Sequence, residues 1–285
     1  MSFKTKDKEA PELSLQTFSQ ITRIFKDKQW PIADHFGDDI FNNFCELLTA
    51  LDEEESKLIL NLTEHFLWIP EGEYLKYFAV AFDKFIKTFE FKNINKIYIC
   101  PVLIAEDFGK SKSSVFLLYL VKAYISSIQK KYEKFAITFF DSPEFLNEEC
   151  LLKNDYILCL IDDFIGTGET VERAGEYLFT KNVQVENLAI VSLVGMEQGI
   201  NYLKDNGYNI YVDIICRKGI SDNSTFTEDD VSLMEAIEER IKVRDKYKFG
   251  YQRSEALVRM SRTPNNTFPI YWLNNKKNKN APFPR

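Results

Sequence analysis

Two adjacent carboxylates, Asp162 and Asp163, stand two residues ahead of the stretch Gly166-Thr167-Gly168-Glu169-Thr170. These residue types at this spacing suit a phosphorylated sugar. Carboxylates accept hydrogen bonds from vicinal hydroxyls. Glycines permit unusual backbone angles and let a ligand approach the chain closely. A helical pattern starts near Val171, and the unpaired amides of a first helical turn favour an anion in front of them. Glu169 must turn its charge away from such an anion, while its amide stays available.

The elements that position these groups follow from the flanking residues. Tyr156–Ile161 is an unbroken run of apolar or sulfur-bearing residues. Such a run predicts a strand buried on both faces, as in the middle of a parallel sheet. A strand, an acidic pair, a glycine-containing turn and a helix to about Thr180 then follow in order.

This stretch closely resembles the ribose-phosphate signature of the type I phosphoribosyltransferases: four apolar residues, two acids, two or three variable residues, then Thr-Gly-Gly-Thr or a near relative. Here the loop is Thr167-Gly168-Glu169-Thr170, with Glu169 where a small residue is usual. The resemblance covers about residues 95–220. It implies that Asp162 and Asp163 hold the 2′- and 3′-hydroxyls of 5-phosphoribosyl-1-pyrophosphate (PRPP). Gly166, Thr167, Gly168, Glu169 and Thr170 would hold the 5-phosphate. It also implies Mg²⁺, carried by the ligand with help from Asp162 or Asp163.

The same resemblance places a pyrophosphate-contacting loop after the first core strand. Lys96–Ile104 reads as that strand, 105–114 as a polar loop, and Val115–Lys131 as a helix. Lys110, Ser111 and Lys112 supply cations, hydroxyls and amides near the helix start, which is suitable chemistry for pyrophosphate. The Gly-Lys-Ser triplet is not a Walker A loop, because the earlier glycine position holds Ile104. Lys134–Phe140 is the next strand. Asp141–Asp155 is a polar insert where the family carries a mobile closing loop, and Lys153 is its only base.

Downstream, Asn187–Val194 and Asn209–Cys216 read as strands with a helix at Met196–Asp205 between them. The order predicts an open, mainly parallel α/β sheet flanked by helices, type I phosphoribosyltransferase-like. Ligands on such sheets bind at the carboxyl ends of the strands. Residues 1–95 read as a helical N-terminal region, 96–220 as the α/β core, and 221–285 as a C-terminal helix and basic extension. In the first, Asp38–Leu51 continues a helical pattern, and Asp52 with Glu55 forms a capping box for a helix through Trp68, stopped by Pro70. Gly72–Phe89 carries an aromatic stripe of Tyr74, Phe78, Phe82 and Phe85, which reads as core. In the last, Thr227 with Asp230 starts a charged helix to about Lys246, Pro264-Asn265-Asn266 marks a turn, and TFPIYW suits an edge strand. NNKKNKN reads as flexible.

Composition bounds the rest. The 285 residues carry a net charge of −7, which argues against nucleic-acid binding over the whole surface. From Ile241 onward, however, eleven bases meet two acids. Such a segment could serve an anionic ligand or a protein or nucleic-acid partner, or it could dock on the acidic body. With only His35 and His65, neither a histidine-built zinc site nor a Ser-His-Asp triad is expected. The five cysteines form no CxxC pair and read as reduced thiols. No membrane span and no signal sequence are expected, so the cytoplasm is the expected location. The C-terminal portion resembles, less specifically, phosphoribosyltransferase-like proteins of bacterial defence and retron-type loci. The expectation is a protein that binds PRPP or a nucleotide and transfers or cleaves at ribose C1, as an oligomer or complex subunit. The alternative is a non-catalytic sensor or structural subunit.

Overall fold

The apolar run at Tyr156–Ile161 is the centre of the sheet in the computed structural model, which describes residues 12–32, 40–147, 151 and 155–285. The helices are α1 (Leu15–Asp27), α2 (Ile40–Thr49), α3 (Glu53–Glu64), α4 (Tyr74–Thr88), α5 (Ser113–Ser127), α6 (Glu169–Phe179), α7 (Glu197–Asp205) and α8 (Glu228–Arg240). The strands are β1 (Leu67–Trp68), β2 (Lys96–Pro101), β3 (Ala136–Phe139), β4 (Tyr156–Ile165), β5 (Leu188–Met196), β6 (Asn209–Cys216) and β7 (Val258–Arg259). Lys153, Cys150 and His35 lie outside the described residues.

Among the described residues, one sheet has the order β3-β2-β4-β5-β6, with every pair parallel. The chain leaves β2 toward one edge, returns across it to β4, and then runs toward the other edge. The switch point therefore lies between β2 and β4, where ligands of such sheets bind.

Strand alternation sorts side chains into two layers. Ile157, Cys159 and Ile161 face α4 and α5, in a core shared with Phe78, Phe82, Leu117 and Val121. Leu158 and Leu160 face the opposite layer, with Val171 and Leu178 of α6 and Ile200 and Leu203 of α7. The Tyr74–Phe85 stripe is fully buried, as the periodicity predicted. A third core joins α1–α3 to the C-terminal portion. There Phe283 lies 4.9 Å from Phe66, 5.4 Å from Phe44 and 5.7 Å from Trp30, between ring centroids.

Both expected capping boxes form, at Asp52/Glu55 and Thr227/Asp230, and Thr267 N donates to Pro264 O across the expected turn. Four readings need correction. The third helix stops at Glu64, and Leu67–Trp68 instead pairs with Val258–Arg259. The TFPIYW stretch makes a single bridge, Thr267 to Ala256, and then a 3₁₀ turn at Pro269–Tyr271. The last long helix ends at Arg240, short of Lys246. The NNKKNKN stretch is mostly exposed but is anchored at Asn278, which is buried and donates to the carbonyls of Ile270 and Leu273.

Candidate functional site

β4 outruns β2. Their ladder ends at Pro101–Ile161, with Val102 N still donating to Ile161 O, while β4 continues beside β5 to Ile165. Asp162 and Asp163 therefore stand at the open edge of the switch point. They line a cleft of about 620 Å³ with residues of the β2–α5 loop, the Gly166–Thr170 turn and the C-terminal segment.

The two acids differ in their surroundings. Asp163 is buried on the α4/α5 side, where the Tyr74 phenol donates to its Oδ2 at 3.2 Å. Tyr74 in turn accepts from the Ser261 amide at 2.7 Å. Asp162 is half-buried, and its Oδ1 accepts from the Asp163 amide at 2.9 Å. Burial, with the adjacent Asp163 carboxylate second, pushes Asp162 well above the usual carboxylate range. Burial also raises Asp163, against hydrogen bonds from Ser113 and Tyr74 that favour its charge.

The turn after β4 leaves its amides open. Among the described residues, no backbone carbonyl accepts from Gly166, Thr167 or Gly168. Gly168 caps α6 at φ 90°, a left-handed angle that suits glycine. A Cβ at Gly166 would lie 2.4 Å from the Asn266 side chain, and one at Gly199 of α7 would lie 2.2 Å from the Gly166 carbonyl. The turn is thus clamped between α7 and the C-terminal segment. The Glu169 carboxylate is held by Tyr251 Oη–H at 2.8 Å and Gln252 Nε2–H at 3.1 Å.

The β2–α5 loop brings Ser111 and Lys112 to the cleft; Lys110 is not part of its lining. Both lysines pair with Asp107, at 3.3 Å for Lys110 and 2.7 Å for Lys112. Their hydrogen bonds and charge hold the Asp107 carboxyl below its ordinary value against the opposing effect of burial. Ser114 is buried and donates to Val102 O at 2.8 Å, which fixes the start of α5 against the end of β2.

Several lining residues were not placed at this cleft from the sequence, although Asn266 was read as part of a turn and the two arginines as part of the basic segment: Phe116, Tyr251, Ser261, Arg262, Asn266 and Arg285. The last five come from a segment with a distinctive backbone, in which Phe249, Gln252, Arg253 and Glu255 all have positive φ. Such angles cost about 1–3 kcal/mol each and persist only where the surroundings impose them. Here the imposing contacts are Ser254 Oγ–H to Tyr251 O, Tyr251 N–H to Asn265 O, and Glu255 accepting from the amides of Ile220 and Ser221.

No group of three or more His, Cys, Asp or Glu side chains able to hold a metal occurs among the described residues. Mg²⁺ commonly rests on substrate phosphates with one or two carboxylates. The repelling Asp162–Asp163 pair fits that mode, since a nearby cation would relieve it. Among the described residues no helix is long and apolar enough to cross a membrane.

Known proteins are similar to parts of this chain. A xanthine phosphoribosyltransferase of Finegoldia magna is 28% identical over 165 residues, covering 52% of this chain and 80% of the relative. Among solved structures, hypoxanthine-guanine phosphoribosyltransferase of Schistosoma mansoni in complex with IMP is 17% identical, with a TM-score of 0.32, over 52% of this chain and 67% of that one. The AQ2163 protein of Aquifex aeolicus is 11% identical, with a TM-score of 0.30, over 64% and 86%. The profile of one family, PRTase-CE, matches residues 41–285, from the second helix through the whole C-terminal segment. This type I phosphoribosyltransferase-like chain belongs to the PRTase-CE family.

Proposed function

We propose that the cleft binds PRPP or a nucleotide through its 5-phosphate and transfers or cleaves at ribose C1. One observation carries this reading: the Gly166–Gly168 amides stand without carbonyl partners beside an acid pair at the sheet's switch point. Thr167, Gly168, Glu169 and Thr170 anchor the 5-phosphate, mainly through amides. Asp162, at the open edge, accepts from the ribose hydroxyls and favours the positive charge that develops on the ring. Asp163, held by Tyr74 and Ser113, keeps Asp162 in register and adds to that field. Ser111 and Lys112 face the leaving group. Mg²⁺, carried on the ligand's phosphates with help from Asp162 or Asp163, would supply charge neutralisation for the leaving group.

The test is incubation of the full chain with PRPP, Mg²⁺ and a panel of bases and nucleotides, measuring pyrophosphate or free base. Product from one of them is expected. Each charge-assisted hydrogen bond contributes about 1.5–3 kcal/mol, so Asp162→Asn with Asp163→Asn should lower turnover by about a hundredfold or more. Failure of ribose 5-phosphate and PRPP to bind at millimolar concentration overturns the reading.

A second reading has one observation in its favour. Lys110 and Lys112 are both paired with Asp107, which leaves less free charge for a leaving pyrophosphate. In that reading the protein senses PRPP or a nucleotide without turning it over. Tight PRPP binding with no product supports it. In either case the setting we propose is cytoplasmic and within a bacterial defence system, as an oligomer or complex subunit. The basic C-terminal segment then meets a protein or nucleic acid, and co-purifying nucleic acid lost at high salt is the check.

A further inference from the structure

We propose that Arg262 and Arg285 form a second oxyanion subsite in the cleft, so that its ligand carries two anionic groups. One rests on the Gly166–Thr170 turn and the other on this guanidinium pair. The inference builds on the 5-phosphate reading and adds the class of ligand the site accepts.

Both arginines line the cleft. Thr263 Oγ1–H donates to Phe283 O at 2.9 Å, which ties the residue after Arg262 to a residue two before Arg285. The two cations feel each other: burial and then the Arg262 charge depress the Arg285 guanidinium. Among the described residues no carboxylate forms an ion pair with either, whereas Lys110 and Lys112 are both committed to Asp107. The pair begins beside the acids, because Ser261, adjacent to Arg262, donates its amide to the Tyr74 phenol that bonds Asp163. Two like charges held together without a counter-ion repel. A phosphate, pyrophosphate or carboxylate removes that cost, and a guanidinium fork binds such groups bidentately.

The second anion has two chemical sources, the pyrophosphate of PRPP or an anionic acceptor base. Calorimetric titration of the full chain with ribose 5-phosphate, inorganic pyrophosphate and orotate separates them, using wild type, Arg262→Gln and Arg285→Gln. Both arginines keep a large solvent-exposed surface, although the Arg285 head group is partly desolvated in the cleft, so the variants should melt as wild type does. Ribose 5-phosphate affinity is expected to change by less than about twofold. Loss of pyrophosphate affinity by about tenfold or more supports the leaving-group source, and the same loss for orotate alone supports the acceptor source. Equal binding of both probes by wild type and variants overturns the subsite. Should ribose 5-phosphate fail on wild type, the 5-phosphate reading falls, while the pyrophosphate and orotate arms still decide the arginine pair.

Discussion

Two walls of one cleft are built in opposite ways. The β4–α6 wall is a single run, residues 156–170, whose strand, acids and turn follow each other directly. The C-terminal wall, residues 251–266 with Arg285, has no strand longer than two residues and several left-handed residues. Partners far away in sequence hold it. Ser261 meets Tyr74 across 187 residues, and Tyr271 meets Thr63 across 208. The difference teaches that the wall carrying the acid pair and the glycine turn is coded locally. The wall we propose selects the ligand is coded by tertiary contacts.

The sharpest way to break this comparison is Phe283→Ala. Emptying a fully buried ring position should cost about 3–5 kcal/mol, seen as a lower urea midpoint. If the walls are independent, folded variant still binds ribose 5-phosphate as wild type does, but loses pyrophosphate or orotate affinity. Equal loss for all probes would join the walls into one unit. Tyr74→Phe removes a phenol that bonds to both walls. It leaves the buried Asp163 carboxylate with Ser113 but without its phenol donor, and the Ser261 amide without an acceptor. A destabilisation of about 1–3 kcal/mol is expected, with a further shift of PRPP turnover toward higher KM.

A smaller effect comes from beneath the C-terminal wall. Glu238 is fully buried, accepts from the Phe249 amide at 2.9 Å, and has one oxygen without a partner. Burial raises its pKa to about 8, against that amide and the charges of Arg253 and Lys248, with Glu235 adding to the rise. The unfolded chain releases this proton near 4.5. The folded state therefore holds the extra proton between these values. Its contribution is full below about pH 4.5 and declines as pH rises to about 8. Glu238→Gln should flatten that decline in melting experiments. The mildest change is Glu169→Gln, which keeps the turn amides and weakens the link to Tyr251 and Gln252. Stability should fall by under about 1 kcal/mol, with ribose 5-phosphate affinity unchanged or improved, since a charge leaves the phosphate's surroundings.

The core sheet could be read from the chain because parallel strands are apolar runs and their crossovers are helices. Asp162, Asp163 and the glycine turn could be placed on one rim for the same reason. Tyr74 shows where that reading stops. Helical spacing put it correctly in the core, yet nothing in a 3.6-residue period reveals a phenol bonded to a carboxylate 89 residues on. Leu67 and Trp68 continue an apolar pattern that reads as helix, whereas their backbone pairs with Val258 and Arg259, a segment that is distant until the chain has folded. TFPIYW has strand-forming residues, but Pro269 opens a 3₁₀ turn and Trp272 Nε1–H closes back on Thr267 O. The asparagine-rich stretch reads as flexible from its composition. Instead the Asn275 side chain accepts from the amides of Lys277 and Asn278, making a local turn that composition does not show.

Phe283 closing onto Trp30, Phe44 and Phe66 also sets a timetable. Contacts across more than two hundred residues form slowly, because a long loop must close before any stabilisation returns. Refolding should therefore restore the parallel sheet first and the guanidinium-bearing rim afterwards, so that competence for a doubly charged ligand returns later than bulk secondary structure.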